Sequence, residues 1–179
     1  ELKEFDNELK YGNKLKQVKE IIMSSSIGYI KEGIFDSMTE LTNIEYQGYS
    51  EPLCPSTLFT KTSIQYVNVP MDYCLFCGAT PITKGSCGEN CTYMFNHKTK
   101  ELEINGGEMT DWNDVTEVPW FTQIKNIKKI VLKDVEHIGS YSFTGCSLIE
   151  EIVIPESVVS IGYGAFDECT KLSRIEYKG

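Results

Sequence analysis

Five of the seven cysteines, Cys54, Cys74, Cys77, Cys87 and Cys91, crowd between residues 54 and 91 and carry the chemistry that spacing alone suggests. Cys74 and Cys77 flank two residues, Cys87 and Cys91 flank three, and four thiolates so spaced can surround a tetrahedral Zn2+. The same side chains can instead form disulfides, Cys54 with Cys77 and a second bridge among Cys74, Cys87 and Cys91. A bridge closing about 20 residues would contribute about 3 kcal/mol through loop entropy. An odd count leaves one thiol over, and reduced structural thiols are a third reading. A redox pair at Cys74 and Cys77 is disfavoured, because Pro70 and the aromatic neighbours suggest no helix N-terminus to lower a thiol pKa.

Other reactive groups are sparse. Asn90-Cys91-Thr92 is a glycosylation sequon, usable if the chain is secreted. His97 falls in a predicted hairpin loop and His137 in a turn before Ile138, and with no third group in view both read as exposed loop histidines. Asp111, Asn113 and Asp114 could meet a cation, yet such residues beside Trp112 are ordinary turn formers. The sequence has no Gly-x-Ser-x-Gly and no phosphate loop, so no nucleophile and base are paired by motif. The expectation is a protein that is not an enzyme, with no cofactor and no metal.

Charge narrows the partners. A net charge of -9, with 17 Lys and Arg scattered among 26 Asp and Glu, opposes binding to a phosphate backbone. No stretch approaches the roughly 20 apolar residues of a membrane helix. The chain begins at Glu1 without Met or an apolar leader, which reads as a mature or excised fragment. Its length and 41% hydrophobic content suffice for one core or two small ones.

The elements that must position these residues are repeats. Aligning residues 130–151 with 152–174 superposes Ile138 on Ile161, Gly139 on Gly162, Phe143 on Phe166, Cys146 on Cys169 and Ile149 on Leu172. The units are 22 and 23 residues long. Without a gap, Ile21, Ile27, Ile30, Phe35, Met38, Leu41 and Ile44 fall on Ile152, Val158, Ile161, Phe166, Cys169, Leu172 and Ile175. Each unit reads as one coil of a solenoid. Ile152 and Ile154 point inward from a short strand while Val153 points out, as period-two alternation demands. Pro155, without an N–H, ends the strand. Ile161 and Phe166 bracket a turn, Cys169 and Leu172 face inward, and stacking supplies the core that one coil lacks. Cys146 and Cys169 are thereby small core residues, with Met38 at the equivalent rung.

The phrase IPESVVSIGYGAFDECTKLSRI resembles the BspA-type leucine-rich repeat. The match is closest over residues 152–175, good over 130–151 and looser over 21–44, where Met38 replaces Cys and Lys31 replaces Gly. Residues 1–20 read as a decayed repeat, with Leu15 and Val18 at the Cys and Leu rungs. The resemblance implies a leucine-rich-repeat solenoid, a curved parallel sheet with short helical or turn segments on its convex side. It also implies an extracellular or cell-surface setting, where disulfides persist. Between the arrays, Phe59, Ile64 and Val67 keep coil positions, and the Pro- and Cys-rich unit ending at Gly78 resembles a closing cap. Alternation over 92–96 and 101–105 around a four-residue loop predicts a hairpin, resembling the leader of a fresh array.

The expected order is therefore repeats and cap (1–78), a joint (79–86), a β-hairpin leader (87–129), and a second array (130–179) whose last strand is uncovered. Outward strand positions would line one concave face, at Ile22, Glu45, Asn68, Val131, Val153 and Glu176. Val131 and Val153 form an apolar strip with an acidic flank at Glu136 and Glu156, suited to a protein partner, although β-branched residues also favour strands for their own sake. By resemblance the expected function is a protein-binding, adhesive module recognising a surface or extracellular-matrix protein. The alternative is a structural component that packs its repeats against neighbours in a larger, cytoplasmic assembly.

Overall fold

The computed structural model describes residues 4–5, 12–70, 73 and 75–179, with side chains from residue 15 onward. The chain divides into two compact units, Glu1–Thr83 and Lys84–Gly179. Among the described residues helix is confined to three 3-10 turns, Gly12–Gln17, Val115–Glu117 and Phe121–Asn126, and most strand pairs are parallel.

In the first unit, strand Glu20–Met23 pairs in parallel with Asn43–Tyr46, Ile21 lying against Ile44 and Ile22 against Glu45. Glu45 then lies against Asn68 of strand Tyr66–Asn68. The inward residues of these strands and turns, including Met23, Ile30, Phe35, Leu41, Ile44 and Val67, form one buried cluster. Phe35 stacks on Phe59 at 5.6 Å, which places Phe59 in register as a repeat residue, and Ile64 is buried beside it. Leu15 and Val18 pack against the same cluster half-buried, as their assigned rungs require.

The second unit is built around the same spacing. Strand Lys129–Lys133 pairs in parallel with Glu101–Asn105, and Glu151–Ile154 with Arg174–Tyr177. A second, shorter strand per repeat pairs His137–Ile138 with Ser160–Ile161. Cys91–Asn96 and Glu101–Asn105 form an antiparallel hairpin from Thr92 opposite Asn105 to Asn96 opposite Glu101. Trp120 stacks over Phe143, and Phe143 over Phe166, so the aromatic rung of the repeat runs back to Trp120. The indole Nε1 donates to the Ser142 carbonyl at 2.9 Å, which lets the Trp end of this stack be fully buried. The sequence reading missed this earlier rung because Trp stands for Phe and Gln123 for Cys.

The turn after each short strand reverses through a positive φ. Gly33 (77°) and Gly164 (62°) supply it without strain, whereas the same place in the intervening repeat holds Tyr141 at 58°. The Tyr141 ring is held edge-on by Tyr163 at 5.6 Å, a contact that offsets part of that cost.

Two expectations, both of histidines, are corrected. His97 is 2% exposed and meets the Phe95 ring at 5.0 Å, and His137 lies half-buried in the strand His137–Ile138, so neither is an exposed loop histidine. The division between the units, at Thr83 and Lys84, falls within residues 79–86, and the segment is extended there, a strand, Thr80–Glu89, pairing Thr80, Pro81 and Ile82 in parallel with Tyr66, Val67 and Asn68. Pro81 is tolerated because its neighbours carry the ladder, the Thr80 N–H donating to the Gln65 carbonyl and the Ile82 carbonyl accepting from Val69. The last strand is uncovered as expected, and with it Ile161 and Ile175 are 48% and 57% exposed, although their counterparts Ile138 and Ile152 are 0% and 1% exposed. The preceding repeat covers one side of the final one, and among the described residues nothing covers the other.

Candidate functional site

The outward strand residues come from alternation in each strand, and the register decides whether they align. In the first unit Ile22, Glu45 and Asn68 occupy one row, with Ile22 60% exposed and the other two half-buried. In the second, Glu103 lies opposite Val131 and Val153 opposite Glu176. Strands Lys129–Lys133 and Glu151–Ile154 pack side by side, so the two valines sit between the two glutamates. Val153 is 42% exposed and Val131 half-buried.

Both glutamates are neutralised within the unit. Glu103 accepts from Lys133 at 2.8 Å and from Asn105 at 2.6 Å, and the Lys133 contact holds its carboxyl below the usual range. Glu176 takes Lys178 and, at 2.7 Å, Arg174; Lys178 is the main cause of its lowered pKa. Val131 and Val153 line a groove of about 1150 Å³. Of the two acidic residues expected beside the strip, Glu156 lines the groove, together with Glu150 and Glu151, and Glu136 does not.

The cysteines sort by repeat. Cys54 and Cys77 are disulfide-bonded with Cα atoms 5.5 Å apart, and Cys87 and Cys91 are bonded with Cα atoms 5.1 Å apart. Cys74 lies outside the described residues. Glu51, Cys54 and Cys77 bring potential ligand atoms within 4.8 Å of one another, and Glu51 accepts the Cys77 backbone N–H at 3.1 Å. The bridge occupies both sulfurs, as it does at Cys87 and Cys91, so the thiolates that the zinc alternative needs are consumed. Asn90 is exposed at the turn stapled by Cys87 and Cys91, with φ of 53°. Cys146 is fully buried and burial pushes its thiol far up; Cys169 is pushed to about 11 by burial and donates to the Phe143 carbonyl. Neither thiol is reactive in such surroundings.

One constellation was invisible in the sequence. His137 Nδ1 lies 2.7 Å from Ser160 Oγ and its Nε2 lies 3.1 Å from Asp111 Oδ1. The same carboxylate oxygen accepts the backbone N–H and the hydroxyl of Ser140, both at 2.7 Å. Those Ser140 contacts lead in holding the Asp111 pKa at about 2, with His137 adding to them. A serine, a histidine and an aspartate in contact invite comparison with a hydrolytic triad. Acyl transfer also needs free N–H donors beside the nucleophile. Here the Gly162 N–H is given to the Ile138 carbonyl and that of Tyr163 to Ser140 Oγ, so the cluster is a tie between Asp111 and two successive repeats.

Comparison with known proteins agrees with the repeat geometry. The BspA type leucine rich repeat region, in six copies, matches residues 13–80 and 117–179. No curated protein matches the chain. A leucine-rich repeat protein from Eubacterium ventriosum ATCC 27560 is similar in fold, with a TM-score of 0.50 and 22% identity over 54% of this chain and 26% of that one. The chain thus spans about a quarter of that protein's length. A leucine rich cell surface protein from Faecalibacterium prausnitzii A2-165 aligns at 13% identity over 92% of this chain and 61% of that one, with a TM-score of 0.23. Among the described residues no helix is long and apolar enough to cross a membrane. With the repeat rungs in register and the family's repeat matched over most of its length, this chain belongs to the BspA-type leucine-rich repeat family.

Proposed function

We propose that this chain is a non-enzymatic protein-binding module of a surface or secreted protein, acting in adhesion. In this reading its repeats stack as a solenoid and a protein partner is recognised on the concave strand face. The observation that carries it is the register, which gathers Ile22, Glu45 and Asn68 into one row and leaves Val131 and Val153 lining an open groove. Exposed apolar groups with a polar margin suit protein contacts. Repeats of this family generally serve as binding scaffolds rather than catalysts, and the two disulfides suit an oxidising compartment. The organisation proposed is a first array closed by the cap that Cys54 and Cys77 tie, followed by the hairpin leader and the second array.

The test is capture of surface or extracellular-matrix proteins by the disulfide-intact chain and by a Val131→Asp/Val153→Asp variant. Loss of capture in the variant supports the face, and undiminished capture removes it. Intact mass should rise by about 4 Da on reduction, the hydrogens of two bridges; free thiols at Cys54, Cys77, Cys87 and Cys91 in the native chain would sink the extracellular reading. A second reading, packing into a larger assembly, is favoured by the exposure of Ile161, Ile175 and Tyr177 on the final repeat. That reading predicts that Ile175→Asp, not Val153→Asp, abolishes association.

A further inference from the structure

Among the described residues, one place gathers three metal-ligating side chains: Glu51, Cys54 and Cys77, whose carboxylate and sulfur atoms all lie within 4.8 Å of one another. The two sulfurs are bonded to each other, and opening that bridge changes the chemistry of the cluster without dispersing it. Phe76 and Ala79 exchange both backbone hydrogen bonds, at 3.1 and 2.8 Å, which closes the turn that carries Cys77. Phe76 is fully buried against the Tyr46 and Tyr73 rings, at 5.0 and 6.0 Å, and anchors that turn in the core. The Leu53 N–H donates to the Gly28 carbonyl at 2.9 Å and its carbonyl accepts from Ile30 at 2.8 Å, so the residue before Cys54 is fixed to the neighbouring repeat.

Glu51 is tied to the same turn, since one of its carboxylate oxygens accepts the Cys77 N–H at 3.1 Å. Its other oxygen has no partner among the described residues, so the carboxylate is oriented by one atom and free to ligate through the other. With Cα atoms 5.5 Å apart, the freed sulfurs need only turn about their Cα–Cβ bonds to reach ~3.8 Å, the separation of two thiolates on a tetrahedral zinc with Zn–S bonds of about 2.3 Å. Soft sulfur donors select Zn2+ over the hard cations Mg2+ and Ca2+. Cys54 is half-buried, which gives reductant and metal a way in. Cys87 and Cys91, by contrast, gather no third ligand among the described residues.

We propose that Glu51, Cys54 and Cys77 form a Zn2+ site in the reduced chain, with one carboxylate and two thiolates as ligands and water in the fourth position. A dithiol reductant opens the bridge, giving its two electrons and two protons to the cysteine sulfurs and leaving as a disulfide. The Cys54 and Cys77 thiols then lose their protons to solvent as the two Zn–S bonds form. Disulfide and metal are thereby alternative ties across the same 23-residue separation, one for oxidising surroundings and the other for reducing ones. No residue of the strand face takes part, so the site goes beyond the adhesive reading and stands or falls apart from it.

The test compares the full disulfide-intact chain with the same chain reduced by dithiothreitol and freed of it under nitrogen. Zinc titrated against a chromophoric chelator should load the reduced chain one-to-one and leave the bridged chain unloaded. Co2+ in its place should give the near-ultraviolet charge-transfer band of thiolate ligands. Glu51→Gln keeps an oxygen for the Cys77 N–H but loses the carboxylate, and should weaken zinc by at least about tenfold. Cys54→Ser/Cys77→Ser should abolish loading, whereas Cys74→Ser/Cys87→Ser/Cys91→Ser should still load one zinc. Loss of zinc in that triple variant would assign the metal to the closely spaced cysteines and overturn the proposal. Loading that survives Cys54→Ser/Cys77→Ser, or that ignores Glu51→Gln, would overturn it as well, as would a folded reduced chain that takes no zinc. Zinc should raise the unfolding midpoint of the reduced chain and not that of the bridged one, because it binds the folded reduced state alone. If reduction unfolds the chain, zinc should restore its circular dichroism, and failure to do so sinks the site.

Discussion

Asp111 shows how much one residue can do that its sequence context conceals. In a stretch with Asn113 and Asp114 it reads as a turn former, and Asp114 is one, accepting the Thr116 N–H at 2.8 Å. Asp111 instead receives three donors or donor-capable groups from Ser140 and His137. No local spacing announces it, since the partners lie more than twenty residues ahead and meet Asp111 only once the repeats pair. Its carboxyl sits at about 2, below the 3.8 of an unperturbed Asp. A depressed folded-state pKa stabilises at pH above the unfolded value and loses that contribution as pH falls through the folded one. The Asp111→Asn variant is therefore expected to be less stable than the parent at pH 5 by about 1 kcal/mol, the scale of a charge-assisted hydrogen bond at an exposed site. The difference should shrink between pH 4 and pH 2. Urea titrations of both proteins across that interval check it; a gap that is constant with pH would mean that the lost contact is not ionic.

At the scale of the repeat, the sequence predicts which residues are buried better than how deeply. Phe143 and Phe166 occupy the same rung and stack at 5.6 Å, yet Phe143 is fully buried and Phe166 is half-buried. Position in the repeat specifies the inward direction; the number of covering neighbours sets the depth. Phe143→Ala is expected to cost about 4 kcal/mol, in the range of a large aromatic removed from a packed core, and Phe166→Ala about half as much. Both tryptophans of the chain, Trp112 and Trp120, belong to the second unit, and Trp120 stacks on Phe143. Denaturant unfolding followed by Trp emission thus reads the affected unit directly. Equal costs at the two positions would show that the final repeat is covered in solution, for instance by a second copy. The elements that the sequence did not reveal share one cause. The strand beginning at Thr80 contains Pro81, and the rung at Trp120 carries Trp and Gln in place of Phe and Cys, so local propensity and exact residue identity pointed away from structures that long-range pairing imposes.

For the molecule as a whole, the disulfides differ in what they restrain. Cys54 and Cys77 are 23 residues apart and join positions one repeat apart in the first unit, whereas Cys87 and Cys91 are 4 apart and close a turn in the second. The expected order already put Cys77 before the joint and Cys87 after it, but spacing in the sequence left open that Cys87 pairs with Cys91, because that pairing depends on the turn between them. Loop entropy rises with the logarithm of loop length, so the long bridge is expected to contribute about 3.5 kcal/mol and the short one about 2 kcal/mol. Cys54→Ala/Cys77→Ala should lower the unfolding midpoint seen by far-ultraviolet circular dichroism, which senses both units, more than the midpoint seen by Trp emission. Cys87→Ala/Cys91→Ala should move the Trp midpoint, and by less than the first pair moves the dichroism. Coincident shifts by both probes for both variants would show a single cooperative transition, in which each bridge stabilises the chain as one body.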